Sequence, residues 1–270
     1  GAAPVGFARG RDGRREFRVN GERQSRVSEI SRLLPVQVLG TRTVDLIQEG
    51  PAYRRRFLNW GVFHVEHQFA DSWRMYRGAL QQRNKLLKSC GAPAQVGGWD
   101  KVLLEYNEIV TLYRKRYLEQ LKPYLESYVT ELLPGIQIEP VFYRGWSEGR
   151  NFAELLEDAL SGDLKAGFSR YGAHRADYRL LCGKVEARDY LSRGQKKLLI
   201  YALKLAQITM LLEETGIKAV LLLDDMHSEL DRVNCERICS TISRLGLQSF
   251  ITSVEAADRY KNFLESLKPK

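Results

Sequence analysis

The chain has 270 residues, 44% of them hydrophobic, so it is long enough for one large domain or two modest ones with real cores. Lys and Arg outnumber Asp and Glu by 42 to 33, and the net charge of +9 favours polyanionic partners, with nucleic acid the leading candidate. The sequence offers neither an apolar run of about 18 residues nor a basic-then-apolar leader, so we expect a cytoplasmic protein without a membrane span.

The first 24 residues predict an antiparallel hairpin. The segments REFRV and ERQS flank Asn20-Gly21, a dipeptide suited to the positive φ angles of a two-residue turn. Strands entered this abruptly suggest that residue 1 is a cut point within a larger fold, the alternative being a flexible terminal hairpin. Next, LLPVQVL predicts a buried strand, and residues 43–64 look helical with an interruption at Gly50-Pro51.

Two long helical patterns follow, at roughly 68–89 and 99–133, on either side of CGAPAQVGG. In the second pattern, apolar residues recur at three- and four-residue steps and predict one buried face: Trp99, Val102, Leu103, Tyr106, Ile109, Val110 and Tyr113. Pro123 should kink or break this helix. The two helices, with Arg and Lys on their outer face, predict a helical subdomain or a stub of coiled coil, the alternative being simple core packing.

From about residue 136 the chain alternates between strands and helices. IQIEPVFYRGW and YRLLCGKVEARDYL predict strands, followed by a helix over 195–214, the strand AVLLLDD, a helix over 232–244 and the strand QSFITSV. This order predicts right-handed crossovers and a largely parallel sheet. The 195–214 helix is apolar nearly all round, with Lys197 and Lys204 as its only solvated strip, so it should be covered on most sides.

Cysteine and histidine patterns do not predict a metal site. The four cysteines are scattered, and only the last two are one helical turn apart: Cys90, Cys182, Cys235 and Cys239. They predict small buried side chains in a reducing compartment. His64 and His67 lack the spacing of zinc proteases and a third ligand, so packing or surface roles are expected.

Two consecutive carboxylates end the apolar strand within KAVLLLDDMHSELD, residues 218–231. Residues 220–223 should form a central strand buried on both faces, and open parallel sheets bind ligands at the carboxyl ends of their strands. Phosphoryl transfer requires one carboxylate on Mg²⁺ and another aimed at an attacking water. We therefore expect Asp224 to hold the metal and Asp225 to assist hydrolysis; the alternative is a strand that simply ends in a polar loop.

The turn LSRGQ, Leu191 to Gln195, opens the helix that precedes this strand. A Ser hydroxyl, a Gly that permits close backbone approach and a helix N-terminus together make an anion site, because unpaired N–H groups and the positive helix end face the ligand. The string alone is weak evidence. It gains force from lying about 30 residues before the strand that ends in Asp-Asp.

One order of motifs resembles the signature, Walker B and D-loop of ATP-binding-cassette heads: LSRGQ, an apolar helix, LLLDD and SELD. In detail the sequence is similar to the RecF family of bacterial DNA replication and repair ATPases, which are relatives of SMC proteins. Further stretches match that family: EGPAYRRRFLNWGVFH, QQRNKLLK, WDK at 99–101 and GAHRAD at 172–177. The resemblance implies an α/β P-loop NTPase of the ATP-binding-cassette/SMC head type, a mixed sheet with flanking helices and an inserted α-helical second lobe. The expected divisions are 1–60 and 136–270 for the ATPase lobe and 61–135 for the helical lobe.

The resemblance also implies an ATP-dependent DNA clamp, in which two heads close around two nucleotides and each signature turn reaches the γ-phosphate held by the other subunit. Nucleotide contacts carry over to Ser192, Arg193, Gly194, Gln195, Gln37 and Asp231. Among these, Gln37 would form a lid on the metal and Asp231 would lie at the dimer seam. Asp224 would hold Mg²⁺, and Asp225 would assist hydrolysis.

Contacts to DNA are expected from Arg54, Arg55, Arg56, His174 and Arg175. The alternative for the three arginines of YRRRF is a solvated surface, and the alternatives for His174 are a nucleotide contact and a structural hydrogen bond. The implied partners are single- and double-stranded DNA, a second copy of the chain bound in the presence of ATP, and the RecR and RecO mediator proteins, with no membrane. The implied function is binding to gapped DNA and assistance in recombinase loading during recombinational repair and the SOS response.

The main departure from the family is the absence of a GxxxxGK[ST] loop in these 270 residues, where the sole Gly-Lys pair, Gly183-Lys184, is followed by Val. Family members have that loop ahead of the hairpin, so we expect the N-terminal part of the nucleotide-binding lobe to be missing and this chain alone to bind ATP poorly. Catalysis is therefore open between the weak DNA-dependent ATPase of the intact family and a degenerate, non-hydrolysing DNA-binding protein. A transporter or translation-factor cassette would have Glu in place of Asp225. Ala173 and Met226-His227 stand where the family typically has Pro and Phe-Ala.

Overall fold

The computed structural model describes residues 4–24, 27–40, 45–89, 93–226 and 230–252. The strands are β1 (Val5–Arg9), β2 (Arg15–Val19), β3 (Glu22–Gln24), β4 (Val36–Leu39), β5 (Glu139–Tyr143), β6 (Asp177–Cys182), β7 (Val185–Glu186), β8 (Val220–Asp224) and β9 (Ser249–Thr252). The helices are α1 (Val27–Leu33), α2 (Asp45–Gln48), α3 (Pro51–Val65), α4 (Phe69–Lys88), α5 (Pro93–Gly97), α6 (Asp100–Leu132), α7 (Phe152–Ala166), α8 (Ala187–Tyr190), α9 (Arg193–Thr215) and α10 (Arg232–Leu245).

The predicted N-terminal hairpin is confirmed. Asn20 and Gly21 join β2 to β3 with φ angles of 53° and 82°, the left-handed conformation for which Asn-Gly is suited. The hairpin gains a third strand, because β1 pairs antiparallel with β2. This pairing places Phe7 opposite Phe17, with ring centroids 5.1 Å apart.

A parallel sheet of order β4-β8-β9 has β8 at its centre, as the alternation of strands and helices predicts. Leu221 and Leu223 of β8 are buried in the main core. The prediction that β4 is a buried strand is wrong for one of its faces, because Val36 and Val38 are 36% and 50% exposed. The carboxyl ends of all three strands meet at one edge of this sheet.

The sheet β5-β6-β7 is antiparallel, so the prediction of a largely parallel sheet is wrong for this part of the chain. The segment 178–191, predicted as strand, divides into β6, the two-residue β7 and the single turn α8. The sequence prediction also missed α7. This helix is well specified locally, because Asn151 caps its first turn through the Ala153 N–H and Gly167 ends it at a φ of 72°.

The two long helices, α4 and α6, pack against each other as predicted, and α6 also packs on α9. The break expected at Pro123 is wrong, because α6 continues through this residue. The outer-face placement of basic residues is wrong for Arg83 and Arg114, which are 0% exposed. Their buried positions join the helical segment to the rest of the core. Among the described residues, no helix combines the length and apolar character needed to cross a membrane.

The helix α9 is covered on most sides, as predicted, but Lys204 does not belong to a solvated strip. Its Nζ donates to Gln37 Oε1 at 2.8 Å and lies 5.5 Å from the centre of the Phe57 ring. Burial lowers the pKa of Lys204 to about 8. A long aliphatic stem and one amide partner allow this lysine to be half-buried.

Cysteine and histidine packing agrees with the sequence prediction where the structure describes it. Cys235 and Cys239 are buried, Cys182 is half-buried, and Cys90 lies outside the described residues. Burial raises the pKa of Cys235 to about 11 and that of Cys239 to about 12. His64 is buried against Trp60 and Phe63, and burial lowers its pKa to about 4.

Candidate nucleotide and nucleic-acid site

Asp224 and Asp225 lie at the carboxyl end of β8, beside Thr252 at the end of β9. Thr252 Oγ1 donates to Asp224 Oδ1 at 2.6 Å. The Asp225 N–H donates to Thr252 O at 3.2 Å and to its Oγ1 at 3.3 Å. Asp225 has a φ of 46°, an uncommon conformation that costs roughly 1–3 kcal/mol outside glycine. Thr252 therefore holds both the first carboxylate and the turn that follows it.

Gly40, directly after β4, completes this edge from the other side. A Cβ at position 40 would lie 2.7 Å from the Asp224 Cβ, so a side chain does not fit there without a shift of β8. Sequence reasoning used Gly40 only as the end of a strand and missed Thr252. Both follow strands that flank β8 in a parallel sheet, and this shared edge is the signal that could have found them.

The oxygen atoms at this edge suit Mg²⁺. Carboxylate and hydroxyl oxygens are hard ligands, and Asp224 is exposed. Among the described residues, no cluster of three or more His, Cys, Asp or Glu side chains could hold a metal alone. Mg²⁺ usually binds one or two carboxylates and completes its shell with water and phosphate oxygens. Asp224 therefore fits a magnesium ligand that acts together with a nucleotide.

The signature turn, Leu191 to Gln195, is held by its own hydrogen bonds, and its residues 192–194 are exposed. Ser192 caps α9: its Oγ accepts the Gln195 N–H at 3.3 Å, and Gln195 Oε1 accepts the Ser192 N–H at 3.0 Å. Gly194 faces open space, because a Cβ there would meet nothing within 4 Å. The first N–H groups of a helix have no partner inside it, so those of Arg193 and Gly194 are the donors available to an anion.

Asp231 and Gln37 occupy different positions from the two central carboxylates. Asp231 caps α10, and hydrogen bonds from the Asn234 N–H and side chain lower the pKa of Asp231. His227, Ser228 and Glu229, which belong to the predicted D-loop region, lie outside the described residues.

Gln37 is not brought to the edge that holds Asp224. It lies opposite Leu221 in the sheet, is 2% exposed, and its Nε2 donates to Gln207 Oε1 at 3.0 Å. Its Oε1 accepts from Lys204. Both ends of the amide are therefore used in the interior, and the role of Gln37 as a lid on the metal stays a prediction.

The three consecutive arginines of α3 do not form one surface. Arg54 is largely buried and forms a bidentate pair with Asp177, with both N–O distances at 2.8 Å. Arg55 is half-buried and donates to Ala176 O at 3.0 Å. Arg56 is exposed. Arg54 thus ties α3 to the start of β6, and DNA contact by any of the three stays a prediction.

His174 lies in a buried hydrogen-bond network. Its Nε2 is 2.9 Å from Ser169 O, and its Nδ1 is 2.8 Å from the Tyr76 hydroxyl. Because a carbonyl oxygen only accepts, Nε2 bears the hydrogen and Nδ1 accepts from Tyr76. Burial lowers the pKa of His174 to about 4, so the ring is neutral at pH 7. This arrangement fits the structural alternative for His174, while the adjacent Arg175 is exposed.

Two buried side chains of α6 hold the GAHRAD loop, residues 172–177. Asn107 Oδ1 accepts the Ala173 N–H at 2.8 Å, and Arg114 NH1 donates to Ala173 O at 2.5 Å. The sequence patterns did not single out either residue. Ala173 stands where the family resemblance predicts Pro, and its N–H donates a hydrogen bond that proline could not donate.

The comparisons with known proteins agree with this geometry. The chain matches the family model described as the RecF/RecN/SMC N terminal domain over residues 3–263. It is 38% identical to the DNA replication and repair protein RecF of Shewanella woodyi over 253 residues, and this matched region covers 94% of this chain and 69% of that protein. The chain belongs to the RecF family. A RecF of Shewanella baltica is 38% identical over 257 residues, which covers 95% of this chain and 71% of that protein.

Solved RecF structures share this fold. The recombination mediator protein RecF-ATP in the RecFOR pathway has a TM-score of 0.82 at 29% identity, covering 93% of this chain and 70% of that one. The corresponding RecF-ATPrS structure has a TM-score of 0.81 at 27% identity, covering 93% and 71%. An Smc head bound to the C-winged helix domain of ScpA, at 16% identity and a TM-score of 0.50, shows the fold alone. The predicted ATP-binding-cassette/SMC head fold is confirmed, and the divisions at 60 and 135 stay predictions.

Proposed function

We propose that this RecF-family chain is a DNA replication and repair protein of the RecFOR pathway that works as an ATP-dependent DNA clamp made of two heads. The exposed, capped signature turn is the main support. Ser192 and Gln195 fix each other and leave the first N–H groups of α9 uncovered. A rigid donor set of this kind suits the γ-phosphate of a nucleotide held by a second copy of the chain.

In this proposal the edge beside β8 supplies the hydrolytic groups. Asp224 would hold the Mg²⁺ that neutralises charge on the phosphate oxygens. Thr252 keeps the Asp224 carboxylate in place through Oδ1. Asp225 would orient the attacking water, and Asp231 would lie at the dimer seam. Because the 270 residues contain no GxxxxGK[ST] loop, we expect this chain alone to bind ATP weakly.

Binding to DNA follows from charge. A net charge of +9 supports contacts to backbone phosphates, with exposed Arg56 and Arg175 as candidates. We therefore expect steep salt dependence and little sequence preference on single-stranded, gapped and double-stranded DNA. RecR and RecO are the proposed partners in recombinase loading, the SOS response the setting, and the cytoplasm the proposed compartment. Affinity that does not change between low and moderate salt would contradict the phosphate contacts.

The test compares the 270-residue chain with a version extended at its N-terminus by a phosphate-loop segment. We expect the extended version to dimerise and retain DNA only with ATP, as followed by light scattering and fluorescence anisotropy. Asp225→Asn should slow its hydrolysis, and Asp189→Asn, which removes an exposed carboxylate elsewhere, should not. The proposal fails if the extended version shows neither ATP-dependent dimerisation nor DNA retention and Asp225→Asn leaves hydrolysis unchanged.

A second candidate is a non-hydrolysing DNA-binding protein of the same descent. Its support is the net charge of +9, which allows contacts to backbone phosphates without hydrolysis. In that case both versions would bind DNA equally well with and without ATP, and Asp224→Asn would leave binding unchanged.

A further inference from the structure

Two exposed aromatic rings, each covered by an arginine, lie near the outer surface of β5 and β6. The guanidinium of Arg175 lies 5.4 Å from the centre of the Phe168 ring, and that of Arg179 lies 4.8 Å from the centre of the Tyr143 ring. Phe168 and Tyr143 are 40% and 41% exposed. We call these four residues the arginine-aromatic strip.

Backbone pairing and side-chain contacts connect the two halves of this strip. Tyr143 lies opposite Asp177 in the β5-β6 register, and Asp177 follows Arg175 by two residues. Arg54 binds the Asp177 carboxylate, and the neighbouring Arg55 donates to Ala176 O. The arginines of the two pairs, Arg175 and Arg179, therefore lie on either side of Asp177 in one segment of the chain, and α3 supports that segment.

The surface around the strip has more positive than negative charge. The Asp177 carboxylate is used by Arg54, and the Glu186 carboxylate is shared by Arg179 at 3.2 Å and Arg188 at 3.0 Å. Within the described part of the chain, no carboxylate lies within 4.0 Å of the guanidinium of Arg55 or Arg175, which leaves two cations without an ion pair.

The electrostatics of Arg55 agree with this excess. Burial lowers the pKa of Arg55, Asp177 opposes that effect, and the like charges of Arg175 and Arg54 lower the pKa further. The nearby His174 adds no charge at pH 7, because its ring is neutral. The cations at this surface are therefore close enough to repel one another, and an anion would relieve that repulsion.

Stacked rings and guanidiniums select one form of nucleic acid. Bases stack well on aromatic rings and on guanidinium planes, but only when the strand is single, because duplex bases are already stacked on each other. Phosphates between successive bases match the unpaired cations. We propose that the arginine-aromatic strip binds single-stranded DNA, with bases stacked on Phe168 and Tyr143 and with phosphates held by Arg175 of the strip and by the neighbouring Arg55. This inference rests on the proposed DNA function and specifies the site and the form of DNA.

The experiment measures fluorescence anisotropy of the 270-residue chain with a labelled oligothymidylate and with a labelled duplex of the same length. Phe168→Leu removes a ring without a change of charge, so we expect about tenfold weaker binding to the single strand and no change for the duplex. Phe168→Tyr keeps a ring and should restore the affinity. Phe7→Leu is the matched control, because it makes the same exchange at an exposed ring of β1.

Arg175→Gln tests the phosphate contact. We expect weaker binding to the single strand and a decrease of about 0.7 in the slope of log affinity against log salt. Arg116→Gln, which removes an exposed charge from α6, should leave both quantities close to those of the parent chain. Thermal unfolding of each variant checks that the fold is retained.

The outcomes separate the two proposals. Single-strand affinity that is unchanged in Phe168→Leu and Arg175→Gln, while the parent binds DNA, overturns the strip and leaves the proposed function standing. Equal losses for strand and duplex in Phe168→Leu also overturn it, because stacking would then not be the source of binding. A parent chain that binds neither DNA at low salt overturns the strip, and the ATP-dependent clamp is then decided by the extended version alone.

Discussion

Thr252 donates a 2.6 Å hydrogen bond to Asp224 and thereby joins the carboxyl ends of two neighbouring parallel strands. The same hydroxyl accepts the N–H of Asp225, which lies in a left-handed conformation. One side chain of β9 thus controls the orientation of the first carboxylate and the backbone turn of the second. The geometry of the proposed hydrolytic site therefore depends on β9 as much as on β8.

The first prediction concerns this hydroxyl. In the version extended by a phosphate-loop segment, Thr252→Val should lower the hydrolysis rate by about 10- to 100-fold, since a hydrogen bond to a charged group contributes about 1.5–3 kcal/mol. It should also raise the Mg²⁺ concentration needed for half-maximal rate. Thr252→Ser keeps the hydroxyl and should behave like the parent. Equal losses in both variants would show that the methyl group, and not the hydroxyl, is what the site needs.

The second prediction separates the two roles of Ser192. Aspartate is a good N-cap, so Ser192→Asp should leave the free energy of unfolding within about 0.5 kcal/mol of the parent value. The added negative charge should repel a phosphate and abolish ATP-dependent dimerisation of the extended version. Ser192→Thr keeps the cap and the hydroxyl and is the matched control. Dimerisation that survives Ser192→Asp would remove the signature turn from the proposed interface. Urea unfolding and light scattering give the two measurements.

Much of the parallel sheet could be predicted because its signals are local. The apolar run of β8 ends in two carboxylates, and the capping box of α9 is written within four residues. Such patterns depend on neighbouring residues alone, so they can be recognised in the sequence without knowledge of the fold. The family resemblance then assigned roles to Asp224 and Asp225.

Other features depend on tertiary contacts that no local pattern reports. Arg114 lies on the buried face of α6, four residues after Val110, but its charge predicts exposure; it is buried and donates to Ala173 O, 59 positions away in the chain. Lys204 is predicted to be solvated, but its Nζ donates to Gln37, 167 positions away in the chain. Long side chains can bury their stems and satisfy their polar ends with distant partners, so charge alone does not predict exposure.

The third prediction tests whether Arg54 serves the fold. Its side chain and that of Asp177 are only 11% and 14% exposed, so removal of one partner leaves a charge that is largely buried. Asp177→Asn should lower the free energy of unfolding by about 3 kcal/mol. Arg54→Leu combined with Asp177→Leu should cost less than the sum of the two single changes. Arg56→Gln, at the exposed neighbour, should change stability by less than about 0.5 kcal/mol. Urea unfolding measures these three variants and the single changes Arg54→Leu and Asp177→Leu, and strict additivity would contradict a coupled pair.

The fourth prediction concerns pH. The pKa of His174 is lowered from its ordinary value of 6.5 to about 4, mainly by burial. Between these values the unfolded chain binds a proton that the folded chain does not bind. Stability is therefore fully present above about pH 6.5 and is lost as the pH falls toward 4, by up to about 3 kcal/mol for this group. His64 has a pKa lowered in the same direction and adds to the loss.

His174→Gln removes the titrating group and keeps a donor for Ser169 O, so it should flatten part of the decline in stability between pH 6.5 and pH 4. His67→Gln changes an exposed histidine and is the matched control, which should leave the decline as it is in the parent. Urea unfolding at half-unit steps of pH measures both. If the two variants and the parent lose stability in parallel, the network of His174, Tyr76 and Ser169 opens before the ring is protonated, and the buried neutral ring is not the source of acid sensitivity.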